Sequence, residues 1–309
     1  MPTINIFWFR RDLRLEDNAG LYHALKSKNP VLPLFIFDKN ILEDLEDRTD
    51  ARVQFIHETI SSLNEELAEL GSSIIVRYGK PIEVWKKLVK EFEIGEVFTN
   101  RDFEPYALER DEAVKTLLEK SKIAFHTFKD HFLFEKNEVL KDDGTPYMVF
   151  TPYSRKWKAK LETKLSKDIK GKTVSFYFKA YPNEKYFHHF FQIKKHKLPS
   201  LESMDFQPSS IPIPSKTVKQ SLIKKYSEQR NFPAIRGTSQ LGIHFRFGTI
   251  SIRQKARAAQ KLNETYWNEL IWRDFYSMIM SHFPHVVTQP FRAKYDHVEW
   301  VNDKAAFKK

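Results

Sequence analysis

The chain contains no cysteine, which excludes disulfide frameworks, thiolate metal centres and thiol nucleophiles at once. Any redox chemistry would have to come from a bound cofactor or from aromatic side chains. Glycine is scarce, with 9 among 309 residues, and the first strand and turn, INIFWFRRDLRLEDNAGLYHAL, lacks the G-x-G-x-x-G phosphate fingerprint. That disfavours an ordinary nicotinamide dehydrogenase. No run of 18 uncharged apolar residues occurs, so no membrane-crossing helix is expected. The opening MPTINIFWFRRDLR places three arginines beside its apolar run, unlike a signal peptide, where the basic residues come first. A soluble, cytoplasmic, monomeric protein is expected. Histidines at metal-ligand spacing are missing too: His188 and His189 are adjacent and so project from divergent faces.

What the chain does have is an uneven charge. Residues 1–130 carry 19 Lys/Arg against 24 Asp/Glu, and residues 131–309 carry 32 against 16, so the net +11 divides into −5 and +16. A half this basic attracts polyanions through phosphate contacts and counterion release, although a solvated lysine-rich surface has the same composition.

Five short apolar runs read as buried strands: Ile4 to Phe9, Val31 to Phe37, Ser73 to Arg77, Val97 to Asn100 and Ile123 to Phe128. Helical stretches lie between them. Asn18 to Ser27 follows an Asp17 cap, and Ala51 to Leu70 places Val53, Ile56, Ile60, Leu63 and Leu67 on one face before stopping at Gly71. Pro81 and Pro105 each open a further helix. Strands alternating with helices give a parallel, Rossmann-like α/β unit over residues 1–130. Residues 131–215, rich in lysine, aromatics and proline, read as an interdomain connection whose charge run Arg155 to Lys172 is a solvated face. From 216 to 309 the pattern is helical, with Leu270, Ile271, Phe275, Met278 and Ile279 at core spacing, so an all-α unit is expected there.

Three segments carry chemistry. In the first turn, Arg10, Arg11 and Arg14 precede Asp12, Glu16 and Asp17, which on their own read as loop ion pairs. Gly237, Thr238, Ser239, Gln240, Leu241 and Gly242 form a small hydroxyl-bearing turn ahead of a helix, suited either to an anion or to capping alone. In NELIWRDFY, Glu269, Trp272, Arg273 and Tyr276 fall at i, i+3, i+4 and i+7. One face therefore carries a carboxylate, an indole, a guanidinium and a phenol, either lining a cavity or forming a Glu269–Arg273 surface pair beside a packed indole.

Four segments in order resemble the DNA photolyase and cryptochrome family: WFRRDLRLEDNAGLYHAL, TNRDFEPYALERD, KYSEQRNFPAIRGTSQLGIHFRFGTISIRQ and NELIWRDFY. Class I deoxyribodipyrimidine photolyases are the members most resembled. The resemblance implies FAD held by Tyr226, Thr238, Ser239, Gln240 and Leu241, with Arg273 beside the flavin ring; Gly242 stands where the family commonly has a second serine. It implies UV-damaged DNA as partner, with Arg230 near the lesion, Glu269 hydrogen-bonded to a flipped pyrimidine and Trp272 flat against it. Trp300 matches the outermost member of the family's tryptophan relay. The implied activity is light-driven repair of cyclobutane pyrimidine dimers by electron transfer from reduced FAD; a cryptochrome blue-light photoreceptor and a (6-4) photolyase are the alternatives. The N-terminal unit would carry an antenna, methenyltetrahydrofolate or a deazaflavin, with Glu104 and Tyr106 as contacts. The family continues past the match to Lys309, so the flavin-binding unit is expected to be incomplete.

Overall fold

The computed structural model describes residues 2–167 and 173–308. Five parallel strands, β1 (Ile4–Phe9), β2 (Val31–Asp38), β3 (Ile75–Gly79), β4 (Ile94–Asn100) and β5 (Ala124–Phe128), form one sheet in the order β3-β2-β1-β4-β5. The chain thus starts at the centre, winds one way, and reverses between β1 and β4. Because successive side chains on a strand point to opposite faces, β1 feeds two cores. Phe7 and Phe9 pack under helices α1 (Ala19–Leu25) and α3 (Ala51–Glu69), and Ile4, Ile6 and Trp8 pack under α4 (Pro81–Glu91) and α5 (Pro105–Lys120). A single turn, α2 (Lys39–Leu42), follows β2.

The expected Rossmann-like sheet is present, and β1 has the expected bounds. One local expectation is corrected. The cap of α1 is Asn18, whose side chain accepts from Leu21 N, and not Asp17. Asp17 sits in the left-handed region at φ 45° with its carboxylate turned to the second unit. The long helix does end at Gly71, whose φ of 76° reverses the chain as a helix C-terminus requires.

The second unit is helical: α6 (Phe150–Glu162), α7 (Gln220–Lys224), α8 (Tyr226–Gln229), α9 (Gly242–Arg246), α10 (Ile252–Leu262) and α11 (Glu264–His282). Residues 131–215 divide between cores. Phe134, Tyr153, Trp157, Leu161 and Phe178 pack with α10 and α11, whereas Phe190, Met204 and Phe206 pack on the α1/α3 side of the sheet. The charge run is amphipathic rather than simply solvated, since Trp157 and Leu161 are fully buried within it. Its continuation forms a two-stranded hairpin, β6 (Leu165–Lys167) with β7 (Thr173–Ser175), and residues 168–172 of the run lie outside the described residues. Trp157 Nε1 and Phe134 N both donate to Asp274 Oδ2, at 2.9 and 3.1 Å, tying α6 and the chain before it to α11. Every described side chain from Arg292 onward is exposed.

Candidate functional site

The two units meet through the first turn of the chain. Asp17 Oδ1 accepts from Arg253 Nε at 2.8 Å and from Tyr181 N at 2.9 Å, while Ser251 Oγ donates to its other oxygen. Asp130 accepts from Arg14 and Arg253, at 2.6 and 2.7 Å, and from Ala19 N at 3.0 Å. Burial alone would push Asp130 up, but the Arg14 and Arg253 charges outweigh it and hold the carboxyl at about 2. Leu13 N donates to Phe247 O, and Arg14 to Gly248 O. Gly248, at φ 62°, lies so close that an added Cβ would fall 2.2 Å from Arg11 O. The arginines and acids that read as loop ion pairs are therefore a buried joint between units.

The same turn fills the crevice at the β1/β4 reversal, where ligands of open α/β sheets usually sit. Arg10 bonds Asp111 and Asn100 O, Arg11 pairs with Asp102 and Glu104 at 3.2 and 2.7 Å, and Arg246 of α9 also reaches Glu104. About 10 Å³ remains among these groups, room for one water-sized molecule. Tyr106 is committed as well: its hydroxyl donates to Asp38 Oδ2 at 2.6 Å and accepts from Asn40 at 3.0 Å, and burial followed by Asp38 pushes it up to about 12.

Beside this joint opens a concavity of about 490 Å³, bordered by Tyr226, Ser239, Gly242, Glu269, Arg273 and Tyr276 among others. Burial lowers Arg273 to about 10, and among the described residues no carboxylate lies within salt-bridge reach of it. Its guanidinium instead donates to His131 O at 2.5 Å and Phe245 O at 3.1 Å and lies 4.3 Å above the Phe132 ring. A half-buried cation whose hydrogen-bond partners are carbonyls and which lies over a ring favours an anionic or electron-rich occupant. The Glu269 carboxylate pairs with Arg230, not with Arg273 as the i, i+4 spacing allows. An added Cβ at Gly242 would meet nothing within 4 Å, so backbone access there is open.

The expected residues do not all converge. Tyr226, Ser239, Glu269 and Arg273 border the concavity, with Arg230 at its rim. Thr238 and Gln240 instead face a second concavity of about 380 Å³ on the far side of the turn, which Ser239 also lines. Leu241 is buried in the helical core. Trp272 is sandwiched: Phe150 stacks on it at 3.7 Å with rings 4° apart, and Tyr276 at 5.3 Å and 25°. Trp300 is 76% exposed and lies outside both concavities. Arg246 and Phe245, which also line the concavity, were not anticipated; their offsets of four and three residues from Gly242 on α9 would have signalled a shared face.

The fold and site define a two-unit protein: a doubly wound α/β domain locked by buried charges to a helical unit that carries a hydroxyl-bearing turn and an arginine-lined concavity. The DNA photolyase family model matches residues 5–170, more than half of the chain. The chain is 29% identical to a deoxyribodipyrimidine photo-lyase from Synechococcus sp. across 98% of its length, and 30% identical to one from Alkalihalophilus pseudofirmus, again across 98%. It spans 65% and 64% of those relatives' own lengths, less than two thirds. A bacterial class III photolyase from Agrobacterium tumefaciens superposes with a TM-score of 0.76 at 23% identity, covering 100% of this chain and 65% of that one. The chain belongs to the DNA photolyase family. Among the described residues, no helix is long and apolar enough to cross a membrane and no group of His, Asp and Glu could hold a metal ion.

Proposed function

We propose that the protein serves light-driven repair of cyclobutane pyrimidine dimers in DNA, as a photolyase of the class I type whose working cofactor is reduced FAD. The observation that carries this reading is the 490 Å³ concavity with Arg273 half-buried in its wall and, among the described residues, no carboxylate within salt-bridge distance of its guanidinium. Those residues fit one side of a flavin: Ser239 and the open backbone at Gly242 would hold a phosphate, with Tyr226 at the same border, and Arg273 would lie beside the ring. Reduced FAD, when bound, supplies the electron that light drives into the lesion.

The chain's own residues do the rest. Arg230 and Glu269 bridge at the rim, so an incoming strand exchanges that contact for its own: a phosphate takes Arg230, and the freed carboxylate turns to the pyrimidine edge. A dimer stacks poorly on its neighbours, which makes it easier to extrude than an intact pair. The Phe150–Trp272–Tyr276 ladder offers it an aromatic wall through Tyr276, which is 61% exposed. From there the Glu269 carboxylate would accept a hydrogen bond from the pyrimidine N3–H and hold the extruded base in register. An antenna at the β1/β4 crevice would have to displace the Arg11–Glu104–Arg246 bridge. Trp300 is the exposed end at which an electron would enter a relay.

The test is to load the protein with reduced FAD in the dark, add dimer-containing DNA and illuminate with near-ultraviolet light. Intact pyrimidines should reappear only in the light, with Glu269→Ala slowing repair about 10-fold or more while flavin absorbance is kept. Bound reduced flavin without light-dependent repair would sink the reading.

A further inference from the structure

The second concavity, on the far side of the Gly237–Gly242 turn, shares only Ser239 with the concavity of the reading above. It measures about 380 Å³ and is lined by Lys219, Lys225 and Arg236 together with the hydroxyls of Ser221, Thr238 and Ser239, with no carboxylate among its lining residues. All three cations are exposed, and their side chains have no ion pair or hydrogen bond among the described residues. By contrast, Arg10, Arg11, Arg14, Arg246 and Arg253 all face acids. Three like charges left together around one hollow repel each other, and an anion relieves that repulsion. Hydroxyls interleaved with Lys and Arg are the donor set that holds phosphodiesters.

The hollow adjoins the first concavity, with Ser239 lining both. Gln229 lines it, and the next residue, Arg230, is the rim cation of the first concavity. From Arg230 to Arg236 every residue is exposed, including Phe232 at 57% and Ile235 at 48%. A basic loop carrying exposed apolar side chains, bounded by an arginine at each end, suits a nucleic-acid strand better than a small soluble anion.

We infer that the concavity formed by Lys219, Lys225 and Arg236 is a second phosphate-binding site that grips the DNA backbone beside the lesion, independent of base sequence and of damage. It deepens the DNA-repair reading and rests on it for the partner. The contact is electrostatic, so each cation contributes about 0.9 to the slope of log affinity against log salt.

The test uses the full 309-residue chain and two duplexes of one sequence, with and without a thymine dimer, titrated by fluorescence anisotropy between about 50 and 200 mM KCl. The variant is Lys219→Gln, Lys225→Gln, Arg236→Gln; the control, Lys28→Gln, Lys87→Gln, Lys120→Gln, removes the same charge from exposed sites on the α/β unit. The inference expects the variant's slope to fall by about 2.7 on both duplexes, so that over this range the wild type loses roughly 40-fold more affinity than the variant. The control should keep the wild-type slope. An unchanged slope in the variant overturns the inference, as does an equal fall in the control, which would make net charge the sole cause. A variant that loses FAD affinity in a parallel flavin titration while its DNA slope stays put overturns it too, assigning the hollow to the cofactor. No preference for the damaged duplex, with the slope change intact, counts against dimer repair and leaves the phosphate site standing.

Discussion

Asp130 shows how much one carboxylate can decide. It is 2% exposed, holds Arg14 and Arg253 together, and caps the approach to Ala19 N. Its folded value of about 2 lies below the unfolded value of about 3.8, so the stabilisation is present above about pH 4 and is lost as pH falls towards 2, amounting to about 2 kcal/mol. Asp130→Asn would leave two buried guanidinium groups short of a counter-charge and should cost about 3–5 kcal/mol at neutral pH, read by urea denaturation; a cost below about 1 kcal/mol would mean the joint is solvated. None of this was legible locally. Asp17 stands two residues before α1, next to the position where short polar residues cap, and its partner Arg253 lies 236 residues on. A pairing of that range leaves no periodic trace, so Arg14 and Asp17 looked like ordinary loop charges.

At the scale of elements, period and punctuation carried most of the fold. The central strands β1 and β2 showed as apolar runs because both faces are buried, and Gly71, Pro81 and Pro105 marked helix ends and starts whose geometry admits few other residues. Less legible were elements whose partner is remote. The face of α11 opposite Glu269 reads as apolar, yet Asp274 lies within it, accepting from Trp157 and Phe134 while its Oδ1 has no donor. Burial pushes Asp274 up to about 6, against the opposing bond from Trp157. A raised carboxyl contributes stability that is fully present below its unfolded value of about 3.8 and is lost as pH rises through about 6, a change of about 3 kcal/mol. Asp274→Asn keeps an acceptor for both donors and cannot ionise. Relative to wild type, its stability should therefore rise by about 3 kcal/mol between pH 4 and 7, followed by urea midpoints at fixed pH; parallel curves would show that Asp274 is already neutral or already solvated.

At the scale of the whole molecule, two cores are joined by a contact of unusual intimacy. Leu13 N bonds Phe247 O at 3.0 Å, Arg14 bonds Gly248 O at 2.8 Å, and Asp17 and Asp130 take Arg253 between them. This joint fixes where the turn and α11 stand relative to the sheet, and thus where a flavin would stand relative to anything bound on the α/β unit. Gly248 is its tightest point. A side chain there meets two obstacles, a φ of 62° that β-carbons resist and the backbone of Arg11 and Asp12 at 2.2 and 2.6 Å. Backbone cannot swing aside as a flexible side chain does, so Gly248→Ala should push the units apart while leaving each core's packing intact. The expected cost is about 3 kcal/mol, falling on the coupling between the units more than on either one. Tryptophans report both sides: Trp8 and Trp85 in the sheet cores, Trp157 and Trp267 in the helical core. Urea unfolding of the variant followed by fluorescence should therefore split into two transitions where the wild type shows one. A single transition merely shifted to lower urea would mean that the charge cluster alone, without the close approach at Gly248, is enough to make the two cores unfold together.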